Sequence, residues 1–150
     1  MYNVALRITG EDMDAEDVLQ DAFVSAFKNL SQYREDASFG AWLKRIVINK
    51  SLNLVKKRNR LAFEVSETAG EVVYEWEDVP DHQMEVAAIK EAIKKLPDGF
   101  RAVLTLYLFE GYDHTEIAEI MGITVSTSKS QFNRAKKKLR EMIHMEVKYG

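Results

Sequence analysis

The sequence of 150 residues contains no cysteine and only two prolines. Without cysteine the chain forms neither disulfides nor thiolate metal sites, which is consistent with a reducing cytoplasm. Its longest apolar run, residues 102–109, includes Thr105 and is too short to cross a bilayer, so we expect no membrane insertion. There is no glycine-rich phosphate loop, and the histidines, His82, His114 and His144, are widely separated. These absences argue against an enzyme, and we expect no metal and no cofactor.

Negative charge is concentrated in the middle of the chain. The formal net charge is −3, but residues 61–89 contain eight aspartates and glutamates and no lysine or arginine. The segments on either side are mildly basic. This distribution predicts two small domains joined by a solvated acidic linker. We assign the domains to residues 1–60 and 85–150 and the linker to residues 61–84.

Residues 116–139 have the pattern of a helix-turn-helix motif. Ile117, Ala118 and Met121 fall on one face of a short helix, where the small side chain of Ala118 allows a second helix to cross closely. Gly122 follows directly and can adopt a positive φ without steric cost, so it supplies the sharp turn.

The second helix of this motif begins near Ser126 or Thr127, either of which can serve as its N-cap. From Lys129 to Arg140 it carries six cations and no acidic residue: Lys129, Arg134, Lys136, Lys137, Lys138 and Arg140. Such a helix is suited to lying along DNA phosphates. A solvated charged face on a C-terminal helix is the alternative interpretation.

Three further helices are predicted in the N-terminal domain, over residues 2–8, 12–29 and 39–60. With two more between residues 84 and 109, they predict an all-α fold. The second helix has an apolar stripe that is expected to face the core, formed by Val18, Leu19, Ala22, Phe23, Ala26 and Phe27. Acidic residues lie on its opposite face, and acids near a helix N-terminus are also favoured by the helix dipole.

The helix predicted over residues 39–60 combines aromatic and cationic residues. Its apolar stripe is formed by Phe39, Trp42, Leu43, Ile46, Val47, Leu54 and Val55. Aromatic rings can stack on unpaired bases while lysine and arginine contact phosphates, so this pattern suits a single-stranded nucleic-acid surface. The alternative is that Phe39 and Trp42 are part of the core.

Three segments, DAEDVLQDAFVSAFKNL, ASFGAWLKRIVINKSLN and LPDGFRAVLTLYLFEGYDHTEIAEIMGITVSTSKSQFNRAKKKLRE, resemble regions 2 and 4 of the extracytoplasmic-function (ECF) group of sigma-70 family sigma factors. The resemblance implies two helical domains, a region 2-like domain and a region 4-like helix-turn-helix domain. It also implies an RNA polymerase sigma factor that binds core polymerase and directs promoter recognition and melting. The implied partners are core RNA polymerase, promoter DNA and an anti-sigma factor.

Three sets of residues match functional positions of this family. By this resemblance, the residues that dock on the clamp helices of the polymerase are Asp14, Glu16, Asp17, Gln20 and Phe23. The residues that open and read the minus-10 promoter element are Tyr33, Trp42, Arg45, Asn49 and Lys50. The residues that contact the minus-35 element are Lys129, Ser130, Gln131, Asn133, Arg134 and Lys137.

The chain also departs from the family pattern. Region 2 begins with a first helix shortened to residues 1–8, and the motif V-G-T-V-K-S-R-L reads VSTSKSQF here. Ser128 in place of valine is expected to thin the core beneath the second helix of the motif, where Phe132 replaces leucine. Gln131 in place of arginine is expected to favour adenine over guanine, together with Asn133.

Two other functions are compatible with these residues. An independent helix-turn-helix regulator would bind specific duplex DNA tightly without polymerase. A helical adaptor that binds only proteins would show no salt-dependent affinity for DNA.

Overall fold

The structure is a computed structural model that describes residues 1–58 and 86–149, with side chains described as far as His144. The chain folds as two compact units, the first of which ends at Arg60. Every regular element in the described ranges is a helix, so the all-α prediction is confirmed. The predicted acidic linker, residues 61–84, lies outside the described residues. No helix in the described part of the chain is long and apolar enough to cross a membrane.

The first unit is a bundle of three helices that pack on one another. They are α1 (Tyr2–Thr9), α2 (Asp12–Lys28) and α3 (Phe39–Arg58), with a 3₁₀ turn at Leu30–Gln32. Gly10 ends α1 with a φ of 77° and donates its N–H to the carbonyl of Leu6 at 2.7 Å. The core consists of Val4, Ala5, Ile8, Ala15, Val18, Ala22, Ala26, Leu43, Val47, Ile48, Leu52 and Val55.

The buried faces of α2 and α3 differ from the predicted stripes. Phe23 is 43% exposed and Phe27 is 76% exposed, whereas the small residues of α2 face the core. Small side chains let α2 approach α1 and α3 closely, so the phenylalanines beside them on the helix point to solvent. On α3, Ile48 and Leu52 are buried instead of Phe39.

The second unit contains α4 (Val86–Lys94), α5 (Asp98–Leu104), a π-helical segment (Thr105–Phe109), α6 (His114–Met121) and α7 (Val125–Tyr149). Its buried apolar residues come from all five elements. They are Ala92, Ile93, Leu96, Ala102, Val103, Leu104, Leu106, Ile117, Ala118, Met121, Phe132 and Ala135.

A buried ion pair within α5 includes an arginine that also bonds to the end of α4. The guanidinium of Arg101 pairs with the carboxylate of Asp98 and donates to the carbonyls of Leu96 at 2.8 Å and Lys94 at 3.3 Å. These carbonyls lie at the end of α4, where the helix leaves its last acceptors without intrahelical donors. Arg101 therefore satisfies the end of α4 and fixes the start of α5 that supports the helix-turn-helix.

Candidate nucleic-acid interface

The turn between α6 and α7 has the predicted geometry. Asp113 caps α6 by accepting the N–H of Glu116 at 2.8 Å, and the Glu116 carboxylate accepts the N–H of Asp113 at 3.2 Å. This capping box fixes the start of the helix. Gly122 ends it with a φ of 67°, and Ile123 donates its N–H to the carbonyl of Ala118 at 3.0 Å. The chain is thereby turned sharply into α7.

The cap of α7 lies earlier than predicted. The helix begins at Val125, and the hydroxyl of Thr124 accepts the N–H of Thr127 at 3.0 Å. Thr124 is therefore the N-cap, and the prediction of Ser126 or Thr127 was wrong. The sequence from Thr124 to Thr127 offers three hydroxyl residues in four positions, so side-chain chemistry alone did not identify the cap.

One face of α7 is buried against the rest of the second unit, and its buried residues are Ser128, Gln131, Phe132 and Ala135. On the opposite face lie Lys129, Ser130, Asn133, Arg134 and Lys137, which are half-buried or exposed. Helical spacing places Ser130, Asn133 and Lys137 on the centre of this face, with Lys129 and Arg134 at its two edges. This outward face can place hydroxyl, amide and cationic groups against a DNA groove and its phosphates.

Gln131 is the exception among the predicted minus-35 residues. Its side chain is 6% exposed, and its Oε1 lies 3.7 Å from the position that a Cβ on Gly99 would occupy. That oxygen has no hydrogen-bond partner among the described residues. A side chain packed between α7 and α5 cannot reach a base edge, so this placement contradicts the prediction that Gln131 reads adenine.

A cluster of rings joins α6, α7 and the π-helical segment. The His114 ring stacks on Tyr107 with centroids 4.7 Å apart, and both rings contact Phe132. Ser128 is fully buried beside them, and its hydroxyl lies 2.8 Å from Nδ1 of His114. The expected thinning of the core at Ser128 is therefore compensated by a hydrogen bond. Lys136 lies over the Phe132 ring at 4.5 Å, and burial lowers the pKa of this lysine, as does nearby Arg140.

A second cluster of rings lies at the start of α3. Tyr33, Phe39 and Trp42 contact each other with centroids 5.3–5.6 Å apart. The Tyr33 hydroxyl donates to the carbonyl of Ala37 at 2.6 Å and closes the intervening loop. Phe39 is 46% exposed, so its interpretation as a core residue was wrong, whereas Trp42 is half-buried. Exposed rings at this junction can stack on unpaired bases.

Three of the residues predicted to read the minus-10 element share one face of α3. Trp42, Arg45 and Asn49 are three and four residues apart, so they lie one above another, and Lys50 is adjacent to Asn49. Asn49 is exposed, and the other three are half-buried. The buried residues of α3 point the opposite way. The structure therefore brings Trp42, Arg45 and Asn49 together on one face that continues the Tyr33 ring cluster, whereas Lys50 points about 100° away from Asn49 around the helix.

The third predicted surface lies on α2. Glu16, Asp17 and Gln20 are exposed and adjoin the exposed ring of Phe23. Further exposed apolar residues, which the sequence interpretation did not assign to a site, extend this surface: Met13, Val24, Phe27 and Leu30. An acidic face beside contiguous exposed apolar side chains is typical of a protein interface.

Asp14 has a partner within the first unit. Arg58, near the end of α3, donates to its carboxylate at 2.7 Å and to the carbonyl of Thr9 at 2.8 Å. This arginine connects α3 to the junction of α1 and α2. Ser126, which the sequence interpretation considered only as an N-cap, is exposed near Ser130 on the outward face of α7.

The fold and these surfaces define a helical protein with a helix-turn-helix unit and a separate aromatic and cationic surface. Residues 1–61 match the family model described as Sigma-70 region 2, and residues 87–139 match the model described as Sigma-70, region 4. The chain belongs to the sigma-70 family, in its ECF group. This confirms the resemblance seen in the sequence and disfavours the independent regulator.

Similar proteins include two curated ECF sigma factors. The chain is 30% identical over 147 residues to ECF RNA polymerase sigma factor SigE of Mycolicibacterium smegmatis, covering 95% of this chain and 57% of SigE. It is 30% identical over 155 residues to SigW of Bacillus subtilis, covering 95% of this chain and 82% of SigW.

Among solved structures, CnrH in complex with the cytosolic domain of CnrY has a TM-score of 0.57 and 26% sequence identity. The match covers 95% of this chain and 79% of CnrH.

Proposed function

We propose that this protein is a non-catalytic subunit of RNA polymerase that binds the core enzyme and directs promoter recognition and strand opening. The observation that carries the proposal is the arrangement of α7, which buries one face and presents Ser130, Asn133 and Lys137 on the other. A DNA-reading helix needs this division, because side chains that fix its position must differ from those that contact bases.

The upstream promoter element is contacted by this outward face of α7. Asn133 has the amide group for a bidentate contact with adenine, and Ser126 and Ser130 can bond to bases or phosphates. Lys129, Arg134 and Lys137 neutralise phosphates. Gln131 packs on the buried side of the helix, and we do not include it among the residues that contact DNA.

The downstream element is opened and held by the first unit. The rings of Tyr33, Phe39 and Trp42 supply stacking surfaces for an unpaired strand. Arg45, Asn49 and Lys50 lie beside these rings on α3 and contact the strand through phosphate and base groups. Duplex DNA keeps its bases stacked, so this surface favours the melted over the closed state of the element.

Core polymerase binds the exposed face of α2. Glu16, Asp17 and Gln20 supply the polar contacts, and Phe23 and Phe27 supply apolar area. Asp14 contributes indirectly, because its ion pair with Arg58 holds the start of α2. The partners also include an anti-sigma factor, supported by the similarity to CnrH, whose structure contains the cytosolic domain of CnrY. The site of action that follows from these partners is the cytoplasm.

Competition for core polymerase tests this function. The full chain should displace a labelled sigma factor from core enzyme, and the resulting holoenzyme should initiate from promoter DNA that core alone does not use. Asp17→Lys should weaken the competition while the far-UV CD spectrum stays unchanged, because Asp17 is exposed and away from the core. An unchanged competition curve for Asp17→Lys would remove α2 as the docking surface. Tight, specific duplex binding without core would instead indicate an independent regulator.

A further inference from the structure

We propose that His114 is a positioning residue for promoter recognition, which holds α7 in its DNA-reading orientation through the hydrogen bond to Ser128. The sequence interpretation gave this histidine no role. The inference rests on the proposed contact between α7 and the upstream element, and it adds residues that act from behind the contact face.

The bond joins the two helices of the helix-turn-helix at a defined point. His114 is the first residue of α6, and its Nδ1 lies 2.8 Å from the Ser128 hydroxyl on α7. Ser128 is fully buried. Ser130, two residues later in the chain, lies on the outward face. Hydrogen bonds depend on direction, whereas contacts between apolar side chains tolerate sliding. A rotation of α7 about its axis would therefore break this bond and also displace every base-reading side chain.

The imidazole is itself held in place. It stacks on Tyr107 with an angle of 21° between the rings and meets Phe132 with centroids 5.6 Å apart. Tyr107 and Phe132 contact each other with centroids 4.4 Å apart. These rings come from three elements, so the position of Nδ1 is set by the π-helical segment as well as by α6. Tyr107 therefore holds the partner of Ser128 from outside α7, while Phe132 contacts the same ring from α7 itself.

Charged and titratable groups surround this ring on each side. Lys129 and Lys136 on α7, Asp113 at the cap of α6 and Tyr107 on the π-helical segment all face His114. Burial lowers the pKa of His114, both lysines lower it further, and Asp113 opposes them. The neutral form is therefore the one that packs here near neutral pH.

Acidification should loosen this contact. Because the pKa of His114 in the folded chain lies below the ordinary value of 6.5, the unfolded chain binds the proton more readily. The contribution of this group is complete above the ordinary pKa and is lost progressively as the pH falls below it. An imidazolium at this site would be repelled by Lys129 and Lys136, both on α7, and this repulsion would weaken the contact between α6 and α7.

Base discrimination by the holoenzyme tests the proposal. Core polymerase carrying the full chain would select from a duplex library randomised in the upstream element, and sequencing would give the preference at each position. Ser128→Ala removes the hydroxyl, and His114→Phe keeps a ring but removes both nitrogens. Each should reduce discrimination by roughly 2- to 10-fold, with no further loss in the double variant, because both remove the same hydrogen bond. The salt dependence of binding should stay unchanged, since no phosphate contact is lost.

Rescue and pH distinguish positioning from general stability. His114→Asn retains an amide atom near the Nδ1 position and cannot titrate, so discrimination should remain and become independent of pH. The unaltered chain should keep its discrimination down to about pH 6.5 and lose it progressively as the pH falls below that value. His144→Gln, a change at an exposed histidine on α7, is the matched control and should preserve this pH dependence.

Other results would overturn the proposal. Loss of thermal stability in Ser128→Ala and His114→Phe with unaltered discrimination would reduce the bond to a structural role. Additive losses in the double variant would show that the two side chains do not act through one bond. Asn133→Ala in the same selection tests the proposed DNA contact of α7 directly. If this variant changes no base preference, that contact is refuted, whatever Ser128→Ala and His114→Phe show.

Discussion

Truncation of Phe27 is expected to affect binding to core polymerase much more than folding. The side chain is 76% exposed on the face that also carries Asp17 and Phe23. With a total of ~200 Å² for a phenylalanine, ~150 Å² remains available for an interface. At ~25 cal/mol per Å², complete burial of this area would contribute at most ~4 kcal/mol.

The expected effect of Phe27→Ala on binding is smaller than this ceiling, because interfaces bury side chains incompletely. We expect a loss of about 1.5–3 kcal/mol, or roughly 10- to 150-fold in the affinity for core polymerase. The effect on folding should be about 1 kcal/mol or less, since only a quarter of the side chain is buried. If α2 is the docking surface, the loss of binding free energy in Phe27→Ala therefore exceeds the loss of folding stability.

Equilibrium competition against a labelled sigma factor measures the affinity for core polymerase. Urea unfolding followed by CD measures the free energy of unfolding. Phe39→Ala is the control, because Phe39 is also exposed in the first unit but lies at the start of α3. It should leave binding to core enzyme unchanged. If Phe27→Ala competes as well as the unaltered chain, the exposed apolar face of α2 does not bind core polymerase.

Three other changes follow from the positions of single side chains. Asn49→Ala should slow open-complex formation while closed-complex binding changes little, as measured with a fluorescent base analogue in the minus-10 element. Equal losses in both steps would contradict the proposed role of Asn49 with unpaired DNA. Lys137→Ala should weaken binding to all upstream sequences alike and reduce the salt slope by about one unit, and an altered base preference would refute its role as a phosphate contact. Gln131→Arg should lower the stability of the second unit by about 1–3 kcal/mol, because it places a larger, charged group at a buried position. Thermal unfolding measures this loss, and a stable variant with a changed base preference would restore Gln131 to the contact face.

The helices and the turn were predictable because they follow from local chemistry. Apolar residues recur at three- and four-residue intervals, and Gly122 stands where only a residue that tolerates positive φ fits well. Ile117 and Met121 were correctly placed in the core for the same reason. The resemblance to sigma factors then indicated the family, and the matches to both regions confirmed it.

The orientation of each helix about its axis was less predictable. Phe23 lies beside Ala22 on α2, and periodicity alone did not show that close packing would bury the alanine and expose the larger ring. Gln131 is polar, yet it lies three residues after Ser128 on the buried face of α7. Such errors arise because burial depends on where neighbouring helices make contact, and those contacts are not local in sequence.

The hydrogen bond between His114 and Ser128 could not be predicted from the sequence for the same reason. Considered alone, a buried serine where relatives have valine predicts a loss of apolar packing. Its hydroxyl is also costly to bury unless it finds a hydrogen-bond partner. Its partner lies 14 residues earlier in the chain, on a different helix. Only the fold brings the two side chains together.

The small number of cations on the outward face of α7 argues for a protein that depends on polymerase. Lys129, Arg134, Lys137 and Arg140 could neutralise about four phosphates, which predicts a salt slope near −3.6 and a loss of roughly 150-fold in affinity between 50 and 200 mM salt. Regulators that bind DNA unaided make more phosphate contacts and lose much more affinity over that range. With a net charge of −3, this chain adds little non-specific attraction. Core polymerase, by presenting both units to one promoter, would convert the second contact into an intramolecular one and raise its effective concentration, so that two weak contacts suffice for selective binding.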